Sequence, residues 1–306
     1  MQIIFRTAPV YFWMFTIWCI SKVFQCIYKQ EKTVWELIWD QSLIYFDEYN
    51  LFVDGILIIS SISTFWLLAM YSIFDFTQKP AFIRKYKVNP NTNEPPDHRK
   101  FIKVLVCSTF SGFFVARPAI ILIYFGLKVR GIPDIRVLPN IQNVLITCFI
   151  NDHLLDIVAY TVHRLLHHRL IYKHIHKKHH EYKSTIAVAG LHTHPLEQLF
   201  LGIMPLGLGY ITLRCHIATA WIHILSSVIN STITHSGYHL PFLGSPAFHD
   251  YHHVKFDCNY SILGLMDRIF RTDKAYRNSI YERRDIVLMS FESTRELYPD
   301  VNDKVL

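Results

Sequence analysis

Histidine is the residue type whose spacing in this chain suggests chemistry. The sequence has 18 histidines, and all but His98 lie between His153 and His253. Ten of them form two pairs with i, i+4 spacing and two H-x-x-H-H motifs. Residues three or four apart lie on one face of a helix, so each cluster can direct its imidazoles to one point. The ten are His163, His167, His176, His179, His180, His235, His239, His249, His252 and His253.

Ten imidazoles exceed the four to six coordination positions of one ion, so the pattern predicts a site for two metal ions. Imidazole binds iron, zinc and copper but not magnesium or calcium. A lone histidine on an apolar face is usually a satisfied core residue, and a histidine run can be a solvated surface tract. Four matched clusters in one span favour the metal site. Five histidines outside the clusters are assigned to support, packing or the membrane interface: His153, His168, His174, His216 and His223. His192 and His194 are intermediate between these roles and metal ligands.

Acidic side chains near the clusters are candidates for supporting the ligands. Asp156, Tyr160, His163 and His167 follow helical spacing and share one face. A charged Asp in a membrane segment costs at least about 2.5 kcal/mol, so Asp156 is expected to be functional. A metal-bound imidazole usually donates its other N–H to a carboxylate or carbonyl, and Asp156 could fill that role. Further candidates are Glu181, Glu197 and Asp250, with a solvated loop charge as the alternative for Glu181.

The composition indicates a polytopic membrane protein. Hydrophobic residues make up 51% of the chain and charged residues 18%, with a mean hydropathy of +0.20, whereas a soluble domain carries roughly 25% charge. A spanning helix needs about 20 mostly apolar residues. Four segments meet this length, although residues 8–20 could also be a signal-peptide core. These segments are residues 8–27, 51–76, 104–127 and 141–162.

A fifth apolar segment, residues 199–229, is too short for two full spans and is interrupted by glycine and proline. Histidines on both sides of it can share one site only if both its ends lie on the same side. We therefore predict a hairpin that dips into the membrane and returns. The fold class is an all-α polytopic membrane protein with about four transmembrane helices, this hairpin and a histidine-rich helical cap.

The distribution of basic residues predicts the orientation of the chain in the membrane. The net charge is +7, but the basic residues flank apolar segments, where they indicate topology and lipid contact rather than nucleic-acid binding. Loop 79–103 carries seven basic residues against Glu94 and Asp97, which favours a cytosolic location. The segment after His163 is also basic, so the metal site should face the cytosol. The six cysteines form no C-x-x-C pair and indicate neither a disulfide framework nor a zinc site.

The histidine motifs resemble those of the fatty acid hydroxylase superfamily, over about residues 151–273. The matching strings are HRLLH (163–167), IHKKHHEY (175–182), HPLE (194–197), HSGYHLP (235–241), FHDYHH (248–253), NY (259–260) and DRIFRTD (267–273). That superfamily includes sterol C4-methyl oxidases, sterol desaturases and fatty acid or sphingolipid hydroxylases. The sequence around these motifs is most similar to the sterol C4-methyl oxidase-like branch of the superfamily.

The resemblance implies a di-iron enzyme of the endoplasmic reticulum membrane. It would use O₂ and electrons from NAD(P)H delivered through cytochrome b5 or its reductase, and zinc could replace iron on overexpression. The ten clustered histidines would be the ligands, with His194 and Glu197 in support. Two positions depart from the family pattern. Arg271 stands where glycine is usual, and His239 stands where sterol C4-methyl oxidases usually have aspartate.

The expected function is therefore oxidation of a sterol, in the manner of C4-methylsterol oxidation. The alternatives are a fatty acyl or sphingoid-base hydroxylase or desaturase, and a catalytically silent lipid-binding protein. A zinc hydrolase would carry H-E-x-x-H, which is absent from the sequence. A metal transporter would place its ligands near mid-membrane. The expected organisation is an N-terminal transmembrane region (1–140), a catalytic domain (141–275) and a cytosolic tail (276–306).

Overall fold

The computed structural model describes residues 8–90, 92–93 and 95–300; Glu94, which entered the sequence analysis, lies outside these ranges. Within them, six helices are long and apolar enough to cross a membrane, which confirms the all-α membrane fold. A shorter helix, α2 (Val34–Tyr45), lies between the first two. The six are α1 (Ala8–Ile27), α3 (Glu48–Thr77), α4 (His98–Arg130), α5 (Ile141–Leu166), α6 (Pro195–Leu213) and α7 (Ile217–Ser236).

Side-chain caps define where several of these helices begin. Asp47 accepts a hydrogen bond from the Asn50 N–H at the start of α3, and Asn140 does the same for Asn143 at the start of α5. The His216 side chain accepts from the N–H of Ala218 at the start of α7. Each cap satisfies a backbone donor that has no partner within the helix.

Helix α4 contains a wider, π-helical turn at Gly112–Ala116, immediately before Arg117 and Pro118. Proline cannot donate a backbone hydrogen bond, and a π turn is one way for a helix to accommodate that loss. Helix α6 contains a second π turn at Gln198–Ile203. The two turns pack together, and the Ser111 hydroxyl contacts the Gln198 amide oxygen between them.

The fifth apolar segment folds as the hairpin α6–α7, but each helix is longer than expected. At 19 and 20 residues, both are long enough to cross a membrane by length and composition, which corrects the estimate that the segment is too short for two spans. The sequence estimate counted only the apolar run, whereas the helices continue into polar ends such as Pro195–Glu197. Arg214, in a left-handed conformation (φ 50°), ends α6 at the hairpin tip.

The hairpin tip lies level with the ends of its neighbouring helices. Arg214 donates through Nε to the carbonyl of Gly131, just after α4 ends, at 3.1 Å. Trp221 donates to the carbonyl of Leu51, in the first turn of α3, at 2.8 Å. Gly55 permits this close approach, because a Cβ there would lie 2.5 Å from the Trp221 ring. The hairpin tip therefore reaches the level at which α3 begins and α4 ends.

A helical cap covers the end of the bundle where α5 and α7 finish. It includes short turns at His176–Glu181 and Ala187–Leu191 and the helix α8 (Ala247–Lys255). Residues 276–300, within the expected cytosolic tail, pack onto this cap. Tyr276 and Leu288 are buried, and the Tyr281 ring lies 5.1 Å from that of Tyr251 in α8.

Candidate metal centre

Nine of the ten predicted histidines converge in two groups. Within each group, one ring nitrogen from every residue lies within 4.8 Å of the others. The five-histidine group combines the end of α5, the turn 176–181 and α8. The four-histidine group combines the same turn with α7 and α8. The members are His163, His167, His176, His180 and His252 in the first, and His179, His235, His249 and His253 in the second.

The five-histidine group has the spacing of ligands around a single ion. The Nε2 atom of His180 lies 3.0 Å from that of His176, 3.2 Å from that of His167 and 3.1 Å from that of His252. Ligands at right angles around an ion, with metal–nitrogen bonds of about 2.1 Å, are separated by about 3.0 Å. The donor set therefore fits a metal ion.

Backbone carbonyls determine which nitrogens face inward. The Nδ1 atom of His163 donates to the carbonyl of Tyr260 at 2.6 Å, and that of His252 donates to the carbonyl of Cys258 at 2.6 Å. Because a carbonyl only accepts, the proton of each neutral ring sits on Nδ1, and Nε2 carries a lone pair. These lone pairs would repel one another, and a cation between them removes that repulsion.

The four-histidine group is built in the same way. The Nε2 atom of His249 lies 2.9 Å from that of His235 and 3.2 Å from that of His253. The Nδ1 atom of His235 donates to the carbonyl of Ser231 at 2.8 Å. The Nδ1 atom of His253 donates to the carbonyl of Tyr182 at 2.9 Å. Four imidazoles would leave open the further positions of an ion with six.

The two groups are adjacent. The ring centroids of His180 and His253, one from each group, are 4.7 Å apart, and those of His179 and His180 are 5.5 Å apart. The turn 176–181 supplies ligands to both groups because its H-x-x-H-H motif directs His176 and His180 to one and His179 to the other. This arrangement suits two neighbouring ions.

Burial keeps these imidazoles neutral and able to bind a metal. Removal from water, together with the nearby His235, lowers the pKa of His253 to about 3. Burial, assisted by His163, lowers the pKa of His167 to about 2. The free ligands outside the membrane-spanning segments therefore carry no proton on the inward nitrogen at neutral pH.

Among the predicted supporting carboxylates within the described ranges, Glu197 is the one that contacts a ligand imidazole. Its Oε1 atom lies 3.0 Å from Nδ1 of His176, and both side chains are almost completely buried. His194 has a different role. Its Nδ1 atom accepts the Leu196 N–H at 3.2 Å and so caps the start of α6, which carries Glu197.

Asp156 and Asp250 support loops rather than ligand imidazoles, which corrects the expected role of Asp156. Asp156 accepts the N–H of Leu263 at 2.6 Å, and Asp250 accepts the N–H of Thr185 at 2.8 Å. A buried carboxylate needs donors, and backbone N–H groups supply them here. The position that we assigned to Asp156 is taken by the carbonyl of Tyr260.

Tyr160 and Glu181 lie at the edges of the site. The Tyr160 ring stacks on Phe270 at 5.3 Å, and its hydroxyl accepts from Arg164 at 2.9 Å. The Glu181 side chain is 49% exposed, and its carboxylate lies 2.9 Å from Nε2 of His192 and 3.1 Å from Nζ of Lys100. Neither contacts a ligand imidazole through its polar atoms.

The structure does not bring His239 into either group. His239 is buried, and its Nε2 atom donates to the carbonyl of Ile286 at 2.7 Å instead of facing either group. The spacing from His235 suggested a shared helix face, but α7 ends at Ser236 and Gly237 turns the chain with φ 73°. Helical spacing therefore no longer applies at position 239, and the two groups that could hold metal have nine members.

Asp267 was missed by the sequence analysis. It is fully buried and accepts the N–H groups of Tyr260 and Ser261 at 2.9 and 2.7 Å. It thereby fixes the loop whose Tyr260 carbonyl orients His163. The only signal in the sequence was its place in the DRIFRTD string, which gave no indication of a role.

A cavity of about 740 Å³ extends from the histidines between the membrane helices. Three members of the four-histidine group, His179, His235 and His249, line it. Its walls include apolar side chains of α3, α4, α5 and α6, together with a more polar face of α7, and it continues to Phe52 and Ile123. Open coordination positions of the four-histidine group would therefore face a space suited to an apolar molecule.

Known proteins resemble this chain over the region that contains the histidine motifs. The model of the fatty acid hydroxylase family matches residues 148–272, which contain all nine histidines. Fatty acid hydroxylase domain-containing protein 2 of Homo sapiens is 32% identical over 293 residues, 95% of this chain and 87% of the relative. The chain belongs to the fatty acid hydroxylase family.

Other relatives are named for different substrates. Methylsterol monooxygenase 1 of Gallus gallus is 32% identical over 249 residues, 78% of this chain and 82% of the relative. A very-long-chain aldehyde decarbonylase of Oryza sativa subsp. japonica is 30% identical over 256 residues, 80% and 93% of the two chains. No solved structure matches. The family includes oxidoreductases of membrane lipids, and the resemblance seen in the motifs is confirmed.

Proposed function

We propose that this member of the fatty acid hydroxylase family is a di-iron, O₂-dependent oxidase of a membrane lipid. The observation that carries the proposal is the position of the two histidine groups at one end of an apolar intramembrane cavity. Bound iron would supply the redox chemistry for attack on an unactivated C–H bond, which zinc cannot supply. Electrons would come from NAD(P)H through cytochrome b5 or its reductase.

The protein's own residues would bind and orient the lipid. The apolar walls of α3 and α4 exclude water from the reacting carbon and hold a chain or ring system by contact alone. Four of the nine imidazoles are oriented by Nδ1 hydrogen bonds to backbone carbonyls, those of His163, His235, His252 and His253. The Glu197 carboxylate lies 3.0 Å from Nδ1 of His176, away from the nitrogen that faces the group.

A sterol is the substrate class that we propose first. Relatives named methylsterol monooxygenase cover most of this chain, which makes 4-methylsterols the leading compounds to test. A cavity of about 740 Å³ is of the size that encloses one small molecule. A rigid ring system also loses less conformational entropy on binding than a flexible acyl chain.

We also propose that the protein lies in the endoplasmic reticulum membrane with its metal site on the cytosolic side. The basic residues of loop 79–103 and of the segment after α5 support this orientation by the positive-inside rule. A cytosolic metal site would be accessible to the electron donor.

The test uses membranes that contain the full-length protein, NADH and O₂. Labelled 4-methylsterols are supplied in one reaction and labelled acyl and sphingoid lipids in parallel reactions. His180→Ala removes a ligand from the five-histidine group and should abolish product. His98→Ala is the matched control, because His98 stacks on Phe76 away from both groups.

Oxidised sterol that depends on His180 supports the proposal. Product only from the acyl or sphingoid lipids would reject the sterol assignment and retain the oxidase. No oxidation of any lipid by iron-loaded protein, with its electron donor present, would reject the oxidase and favour a silent lipid-binding protein.

A further inference from the structure

A second polar cluster lies inside the bundle, far from the metal centre. Asp152 in α5 accepts from His223 in α7, with Oδ1 and Nε2 3.0 Å apart. The Nδ1 atom of His223 lies 3.1 Å from the hydroxyl of Tyr210 in α6 and 3.3 Å from the amide nitrogen of Asn151. The hydroxyl of Tyr11 in α1 donates to the other oxygen of Asp152. Four membrane helices thus contribute to one polar site.

The cluster lies at the deep end of the same cavity that reaches the histidines. Asp152, Tyr210 and Tyr11 all line that cavity, and the Asp152 side chain keeps 16% of its surface exposed. Along α5, Asp152 precedes His163 by eleven residues, and along α7, His223 precedes His235 by twelve. At 1.5 Å per residue, both helices place the cluster ~16–18 Å from the ligands.

The Asp152 carboxylate can accept further hydrogen bonds beyond those from His223 and Tyr11. The Asn151 amide donates to Nδ1 of His223, so the neutral imidazole carries its proton on Nε2 and donates it to Asp152. Each carboxylate oxygen has two acceptor sites, and His223 and Tyr11 occupy one apiece. The remaining acceptor sites, at a carboxylate exposed to the cavity, suit a ligand that donates a hydrogen bond.

A purely structural role for the Asp152–His223 pair would not explain why Asp152 is exposed to the cavity. A pair that only joins α5 to α7 would be sealed between the helices, whereas Asp152 faces the cavity. An acidic side chain inside a membrane costs at least about 2.5 kcal/mol and usually marks a binding or transport function. The apolar cavity has a metal centre at one end and an acceptor at the other.

We infer that Asp152, positioned by His223, binds the hydroxyl group of a lipid alcohol whose opposite end reaches the metal centre. The inference rests on the proposed function and refines it. The oxidised carbon would lie roughly 16 Å from the hydroxyl, a separation comparable to the long axis of a sterol. A 4-methylsterol held in this way presents its side chain, not its 4-methyl group, to the histidines.

The first experiment measures binding without turnover. Iron-loaded, full-length protein is kept under argon in detergent and titrated with radiolabelled cholesterol or with its 3-methyl ether, which cannot donate. Octadecan-1-ol and its methyl ether form a second arm that separates a sterol from an acyl alcohol. We expect wild-type protein to bind at least one alcohol about 10-fold or more tightly than its ether, the effect of one hydrogen bond to a charged group.

Substitutions at Asp152 identify the acceptor. Asp152→Leu should bring the alcohol-to-ether ratio close to one, and the isosteric Asp152→Asn should lower it. Asp54→Asn is the matched control, since Asp54 is another membrane carboxylate but pairs with Arg117 at 2.8 Å and is not on the cavity wall. Iron content and thermal stability should stay at wild-type values in Asp152→Asn, which shows that the fold is intact.

Equal binding of alcohol and ether by wild-type protein, or an unchanged ratio in Asp152→Asn and Asp152→Leu, would overturn the inference. The same protein given O₂ and reductant then reports the oxidised carbon. Hydroxyl-dependent binding without any product would retain the Asp152 site and reject the oxidase. Oxidation next to the hydroxyl, independent of Asp152, would retain the oxidase and reject the Asp152 site.

Discussion

Glu197 and His176 form a buried carboxylate–imidazole contact at the metal centre. Oε1 of Glu197 lies 3.0 Å from Nδ1 of His176, on the side of the ring opposite the nitrogen that faces the five-histidine group. The contact joins α6 to the turn 176–181, so the first turn of the hairpin and the ligand cluster are fixed together. Carboxylates in such positions orient a ligand ring and make it more basic.

Glu197→Gln should therefore weaken metal binding by roughly 10- to 100-fold. The measurement is iron retention by purified protein during titration with a chelator. Glu181→Gln is the control, because that half-exposed carboxylate contacts Lys100 and His192 and no ligand. Equal retention by Glu197→Gln and wild type would show that the contact does not support the site.

The second prediction tests whether the metal ligands are nine histidines or ten, with His239 as the tenth. His239→Asn should keep the full complement of metal, because His239 bonds the Ile286 carbonyl and lies outside both groups. His235→Asn, four residues earlier on α7, should lose metal from the four-histidine group. Metal analysis of the two purified variants makes the comparison. Loss of metal in His239→Asn with the fold retained would return His239 to the ligand set.

Helix periodicity explains why most of the site could be predicted from the sequence. His163 and His167 follow α-helical spacing within and just after α5 and share one group. In each H-x-x-H-H motif the two histidines four residues apart share a group, whereas the third joins the other group, which corrects the expectation that each cluster meets at one point. The same reasoning failed for His239 because nothing in the spacing indicates that α7 ends at Ser236. Periodicity applies only while the helix continues.

Other features depend on tertiary packing and left no sequence pattern. The charge of Asp156 drew attention to it, but its partner is a backbone N–H more than 100 residues away. Asp152 and His223 are single residues on different helices, and their pairing appears only when α5 and α7 pack. The length of the α6–α7 hairpin was underestimated because its polar ends are helical too.

The third prediction concerns the departure at Arg271. This residue ends the short helix Leu265–Phe270 in a left-handed conformation with φ 59°, which glycine adopts without strain. Arg271→Gly should stabilise the protein by about 1 kcal/mol and raise its melting temperature by roughly 2 °C. Arg271→Val should lower the melting temperature, since a branched side chain tolerates this conformation poorly. A lower melting temperature for Arg271→Gly would contradict this explanation.

The fourth prediction tests the proposed orientation. A glycosylation acceptor inserted in the loop 132–139, after α4, should be modified in microsomes, whereas one inserted in the loop 287–292 of the cap should not. The native acceptor sequence Asn259-Tyr260-Ser261 is an unsuitable reporter, because Asn259 is fully buried and its amide donates to the Phe248 carbonyl. Modification of the cap acceptor alone would place the metal site in the lumen.

The central claim is that the two histidine groups hold two iron ions, and iron content tests it most directly. Full-length protein purified without oxygen from iron-supplemented cells should contain about two iron ions per chain, and His180→Ala should contain fewer. The reason is that nine neutral imidazoles converge at two adjacent points. Folded wild-type protein that binds no metal, or only one ion at saturation, would contradict the di-metal account.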